Sequence, residues 1–112
     1  MQRVCFTLRV KPELIDEYVA RHEQVWPEML AAIADSGRRN YSLFLAEDGL
    51  LVGYYETDDD DASRRALAED PRTEQWEREA AQYFEELPGK RPDQAATQLR
   101  EVFNLEAQLT SD

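Results

Sequence analysis

The sequence predicts an α+β domain in which four strands and two helical regions follow one another as β-α-β-β-α-β. Three observations carry this expectation. Residues 4–10, VCFTLRV, alternate in the manner of a strand. Leu14, Tyr18, His22 and Trp26 recur every four residues and so share one helix face. NYSLFLA at 40–46 and LLVGYYET at 50–57 are two alternating runs joined by a short EDG turn, the pattern of a hairpin.

Taken in order, the first strand puts Val4, Phe6, Leu8 and Val10 on one face and Cys5, Thr7 and Arg9 on the other. Pro12 then fits the first turn of a helix, where its missing N–H costs nothing. Ile15 and Val19 widen the apolar face begun by Leu14. Pro27 disfavours helical geometry at Trp26, so a break is expected there, with Pro27 restarting the helix. Met29, Leu30 and Ile33 continue at helical spacing, and Gly37 is a suitable stop. After the hairpin, the four aspartates at 58–61 read as a solvated loop leading into a helix N-terminus. A metal site is the sharper alternative, but Ca²⁺ loops alternate ligands with spacers. A short helix over 61–69 ends at Asp70-Pro71, and a longer one spans 72–87, with Trp76, Ala80, Tyr83 and Leu87 at helical spacing. Residues 88–94 form a loop, 99–105 the last strand, and 106–112 a flexible tail. The order is the ferredoxin-like one, a four-stranded antiparallel sheet with helices on one face, in a single domain over 1–105.

The central hairpin is apolar on both sides. Tyr41, Leu43 and Leu45 alternate with Ser42, Phe44 and Ala46; Leu50, Val52 and Tyr54 alternate with Leu51, Gly53 and Tyr55. A sheet covered on one face only is expected to be polar on the other. The chain has no elements left to cover the second face. A homodimer paired through sheet faces answers this, and so does a half-open ligand pocket.

The net charge of −11 argues against nucleic acid and against an anionic membrane, both of which demand basic patches. A neutral small molecule is the easiest ligand. Cys5 is the sole cysteine, so no intrachain disulfide forms and nothing points to secretion. The first residues lack the apolar core of a signal peptide, and a cytoplasmic location is the default expectation.

Few chemistries fit the residues. One His and one Cys on separate elements make a poor zinc site. The four glycines are scattered, with no phosphate loop and no nucleophile elbow. His22 remains, the only side chain whose ordinary pKa lies near neutrality. Tyr18 precedes it by one turn, Tyr41 opens the next strand, and Trp76 offers a flat apolar wall from the later helix. A histidine, phenolic hydroxyls and an indole, with neither metal nor cofactor, suit acid–base work on a neutral polyol. The same residues also fit a half-buried structural histidine among core aromatics, and spacing alone does not separate the two.

EYVARHEQVWPEML, followed by SGRRNYSLFL and then by Trp76, closely resembles the L-rhamnose mutarotase family, over residues 1 to about 105. The R-H-x(3)-W-P-E core combines rare residue types with a proline at fixed spacing. The resemblance implies a ferredoxin-like fold paired into a dimeric α/β barrel. It implies interconversion of the α and β anomers of a free 6-deoxyhexose, without a cofactor. It places the proton donor on His22, acting on the ring oxygen, and the sugar contacts on Tyr18, Tyr41 and Trp76. Where the family carries a second tryptophan, this chain has Glu77, which loses an aromatic contact or replaces it with an acceptor. The segment before the last strand, around 88–98, also departs from the family pattern. Both departures leave the sugar open; the general base and any assembly beyond a dimer are open as well. Two rivals share the fold: a cofactor-free monooxygenase of the dimeric barrel type and a non-catalytic ligand-binding dimer.

Overall fold

The computed structural model describes residues 1–85 and 91–110. Strands β1 (Gln2–Arg9), β2 (Arg39–Leu45), β3 (Leu50–Thr57) and β4 (Thr97–Leu99) form an antiparallel sheet in the order β2-β3-β1-β4. Helices α1 (Ile15–Glu23), α2 (Pro27–Asp35), α3 (Asp60–Glu69) and α4 (Pro71–Ala80) lie between the strands in sequence. This is the expected ferredoxin-like arrangement.

The register explains which face carries the core. Val4 pairs with Tyr55, Phe6 with Gly53 and Leu8 with Leu51. These residues share one face and meet the helices. On it, Val4, Phe6, Leu51, Tyr55 and Thr57 are buried. Two packed clusters result. Val10, Tyr18, Leu51, Ala80, Tyr83 and Phe84 form one; Val4, Phe6 and Tyr55 form the other. Gly53 is small because it has to be: a Cβ there would run into the Phe6 ring. The alternate residues of β3, Leu50, Val52 and Tyr54, are only half buried on the other face, and Phe44 beside them is 64% exposed.

The chain breaks between α1 and α2 where Pro27 takes the first helical position and Trp26 is extended, at φ −55° and ψ 136°. Asp59 caps α3 by accepting from the Ala62 amide at 3.1 Å, and Asp70 caps α4 by accepting from the Arg72 amide at 2.9 Å. The aspartate run therefore does cap a helix, and its second half has further work. Asp60 is buried, accepts from the Tyr55 hydroxyl, and pairs with Arg64 at 2.9 Å.

Two elements differ from the sequence reading. The helix expected over 72–87 ends at Ala80, with a 3-10 turn at Ala81–Tyr83. Phe84 then turns extended and bridges to Val10, while the Lys11 amide donates to the Tyr83 carbonyl at 2.7 Å. Pairing with the end of β1 competes with further helix and wins. The last strand, expected over 99–105, is Thr97–Leu99. It pairs antiparallel with β1, Cys5 facing Leu99 and Thr7 facing Thr97, and beyond Leu99 the chain leaves the sheet although Gln2–Val4 of β1 extend past that point. Residues 105–110 are instead a short helix, α6 (Leu105–Thr110). Within the segment read as a loop, Pro92–Ala95 form a helical turn, α5. Leu87, residues 88–90 of that loop and residues 111–112 of the tail lie outside the described residues. Among the described residues, no helix is long and apolar enough to cross a membrane.

Candidate functional site

A cavity of about 510 Å³ opens between the inner sheet face and the helices. That volume sits within the ~300–1,000 Å³ range of small-molecule sites. Phe6, Leu8, Leu51 and Tyr55 floor it from the sheet; Tyr18, His22 and Trp76 wall it from α1 and α4. Tyr41 and Glu77 also border it, so all five residues singled out in the sequence meet in one space.

His22 is half buried and lies on the last turn of α1. Its ring sits 4.3 Å from the Tyr18 ring and meets Trp76 edge-on at 5.5 Å. Its Nδ1 lies 2.9 Å from the Tyr18 carbonyl oxygen. A carbonyl only accepts, so Nδ1 carries the proton and donates. In the neutral ring, Nε2 then carries the lone pair. Burial lowers the His22 pKa below its ordinary value, a drop opposed by the Tyr18 carbonyl bond and reinforced by Arg21. The ring is neutral at pH 7 and offers a proton acceptor.

Tyr18 is 5% exposed and wedged between Tyr83 and Phe84, at 5.9 and 5.6 Å. Burial first, then Tyr41 and Glu77 nearby, push its phenol above the ordinary range, opposed by Arg21. Tyr18 therefore stays a neutral hydroxyl, suited to donating a hydrogen bond rather than to acting as a phenolate base. Tyr41 packs on Tyr55 at 5.3 Å and on Phe6 at 6.3 Å.

Trp76 is fixed by a residue that spacing did not single out. The Arg21 guanidinium stacks over the indole at 3.7 Å and donates to the Trp76 carbonyl at 2.8 Å. Trp26 closes the group edge-on to Trp76 at 5.1 Å. Trp76 thus has part of its surface occupied by Arg21 and borders the cavity with the rest. Arg21 was legible as the first residue of R-H-x(3)-W-P-E, though its role was not. Trp26, on the same helix row as His22 in sequence, supports Trp76 from behind.

Three further cavity residues were not singled out as site residues in the sequence: Arg38, Tyr55 and Arg64. Arg38 belongs to no helix or strand, and its place depends on contacts from two distant elements. Burial and the Asp60 carboxylate push the Tyr55 phenol up to about 12, which keeps it a donor to Asp60. Among the described residues, no cluster of three or more His, Cys, Asp or Glu could hold a metal ion.

The family model for L-rhamnose mutarotase matches residues 3–105. The chain is 34% identical to an L-rhamnose mutarotase of Flavobacterium johnsoniae over 93% of this chain and 95% of that protein. It is 33% identical to one of Oceanobacillus iheyensis over 95% of this chain and all of that one. Among solved structures, an L-rhamnose mutarotase from Formosa agariphila superposes with a TM-score of 0.76 at 25% identity, covering 94% of this chain and 99% of that one. Tetracenomycin F2 cyclase from Streptomyces glaucescens, a polyketide cyclase, shares the fold with a TM-score of 0.58 at 20% identity, over 93% of this chain and 98% of its own.

Proposed function

We propose, from the premise that this chain belongs to the L-rhamnose mutarotase family, that it interconverts the α and β anomers of L-rhamnose with His22 as the proton carrier. One observation supports this reading most: a neutral imidazole whose Nε2 is the free acceptor, on the wall of a cavity lined by phenols and an indole.

The chemistry needs only protons moved. A pyranose opens when the anomeric O1–H loses its proton, C1=O1 forms, the C1–O5 bond breaks, and O5 takes a proton. Nε2 accepts the O1 proton and becomes N–H of an imidazolium. The same N–H then donates to O5, so the ring ends neutral and the protons balance. Rotation about C1–C2 turns the aldehyde, and the reverse steps close it on the other face. His22 is thus the acid toward the ring oxygen because it was first the base toward O1. Tyr18 and Tyr41 hold sugar hydroxyls as neutral donors, and Trp76 packs against an apolar face of the sugar. Glu77 accepts from a hydroxyl where an aromatic contact is lost.

The pH dependence follows from the lowered His22 pKa. The reactive form is the neutral ring, so kcat/KM, which reports the free enzyme, stays flat through neutrality. It falls only below the ordinary histidine value of 6.5. Stability moves the same way. The unfolded histidine binds a proton near 6.5, the folded one at lower pH, so acidification through that interval favours the unfolded chain. Exchange rates and melting temperatures measured from pH 5 to 8 test both; an activity limb rising toward acid would reject the neutral-base assignment.

We also assign a homodimer and a cytoplasmic location. The outer sheet face, with Phe44 64% exposed, and the C-terminal segment, with Val102 79% and Phe103 61% exposed, present apolar surface that a second copy would cover. Light scattering on a sizing column should give twice the chain mass. Phe44→Glu should shift it toward monomer, and a monomeric parent protein would reject the assignment.

A further inference from the structure

Resting on the mutarotase reading, the geometry points to Arg38 as a substrate-binding residue that grips the hydroxyls on C3 and C4 of the sugar. Arg38 borders the same cavity as His22 but packs in a different group of rings. Tyr18 touches His22 at 4.3 Å, while Tyr41 packs on Tyr55 at 5.3 Å and Arg38 stacks on Tyr55 at 4.0 Å. In a pyranose, the ring edge opposite the O5–C1 bond is the C3–C4 bond. A sugar that presents O1 and O5 to His22 therefore turns C3 and C4 away from it, toward the remaining cavity wall, to which Arg38, Tyr41 and Tyr55 belong.

The guanidinium is held on two sides and open on a third. Its Nε donates to Ser63 Oγ at 2.8 Å, and Ser63 is fully buried. The Ser63 hydroxyl in turn donates a hydrogen bond to Ser36 Oγ at 3.4 Å, and Ser36 donates to the Ile33 carbonyl at 2.6 Å. The Tyr55 ring beneath Arg38 is itself tied down through its hydroxyl to Asp60. Among the described residues, neither Nη of Arg38 has a hydrogen-bond acceptor or an ion pair. The other guanidinium on the cavity wall, Arg64, is already paired with Asp60 at 2.9 Å. Arg38 thus presents an immobilised planar fork of two donors. Two oxygens on adjacent carbons match that fork, and little side-chain freedom is left to lose on binding.

The test is saturation-transfer NMR of anomer exchange at varied sugar concentration, with L-rhamnose and its 3-deoxy and 4-deoxy analogues. A hydrogen bond to a charged group corresponds to roughly a 10- to 100-fold effect on binding. Wild-type protein should show KM raised about tenfold or more for each deoxy sugar, with kcat within about threefold. Arg38→Met should raise KM for L-rhamnose by a similar factor and abolish the extra penalty for the deoxy sugars. Arg38→Lys, which keeps the charge but not the fork, should recover part of the loss. Wild-type protein that handles the deoxy sugars as well as L-rhamnose overturns the proposal without any variant, as does Arg38→Met that keeps the full deoxy penalty. Wild-type protein that accelerates no sugar's exchange overturns the mutarotase reading itself, and this proposal with it.

Discussion

His22→Ala is expected to lower the catalysed anomer exchange by about 10²–10⁴-fold, the usual contribution of a positioned acid–base group. Most of the polar side chains around it are poor substitutes, and Glu77 is the one carboxylate on the cavity wall among the described residues. Tyr18 and Tyr55 are held neutral far above physiological pH, by burial and by neighbouring acidic groups. The guanidiniums of Arg38 and Arg64 do not give up protons in this range. His22→Gln should lose as much, although its amide could still donate to the Tyr18 carbonyl, because an amide does not exchange protons near neutrality. The fold should survive both changes. His22 is only half buried, and its side-chain bond to the backbone is worth on the order of 1 kcal/mol. Circular dichroism and a melting curve alongside the NMR measurement separate loss of catalysis from loss of structure. Near wild-type exchange by His22→Ala would remove the histidine from the mechanism.

Gly49→Ala is expected to do the opposite: cost stability and spare the chemistry. Gly49 closes the β2–β3 hairpin at φ +98°, a backbone region that alanine enters at a cost of roughly 1–2 kcal/mol. An added Cβ would also collide with the Val10 carbonyl oxygen. That oxygen is backbone and cannot swing aside. The Val10 amide donates to the Gly49 carbonyl at 2.8 Å, and Val10 is 1% exposed in the main core cluster. The clash adds roughly 1–3 kcal/mol, for a total of about 3 kcal/mol. In a domain of this size the melting temperature should fall by roughly 10–20 °C. Exchange per folded molecule at 25 °C should stay near wild type, because Gly49 does not border the cavity. A melting temperature within a few degrees of the parent would show that the hairpin relaxes around the methyl group.

What could be read in the sequence follows from how local the governing physics is. The faces of β1 and β3 follow from alternation because a strand's side chains have a period of two. The break before Pro27 follows from a steric rule acting on its neighbour. Tyr18 and His22 share a wall because one helical turn separates them. The early end of α4 was not legible: the competitor for residues 81–84 is Val10, some seventy positions earlier in the chain. Arg38 was hidden for the same reason, since Ser63 and Tyr55, on two other elements, give it its orientation. Arg21 was visible as part of a motif, but only the folded chain shows it stacked on an indole fifty-five positions away.

The bond from the His22 ring to the Tyr18 carbonyl has one more consequence. The polarity of the reactive nitrogen is dictated by main chain, which no substitution at residue 18 removes. On the proposed mechanism, changes in the surrounding walls, at Glu77 or Arg38, would retune which sugar is held while the proton-carrying atom keeps its aim. Recognition and reactivity would then fall to separable parts of the cavity wall, and a new sugar preference would not require a new catalytic group.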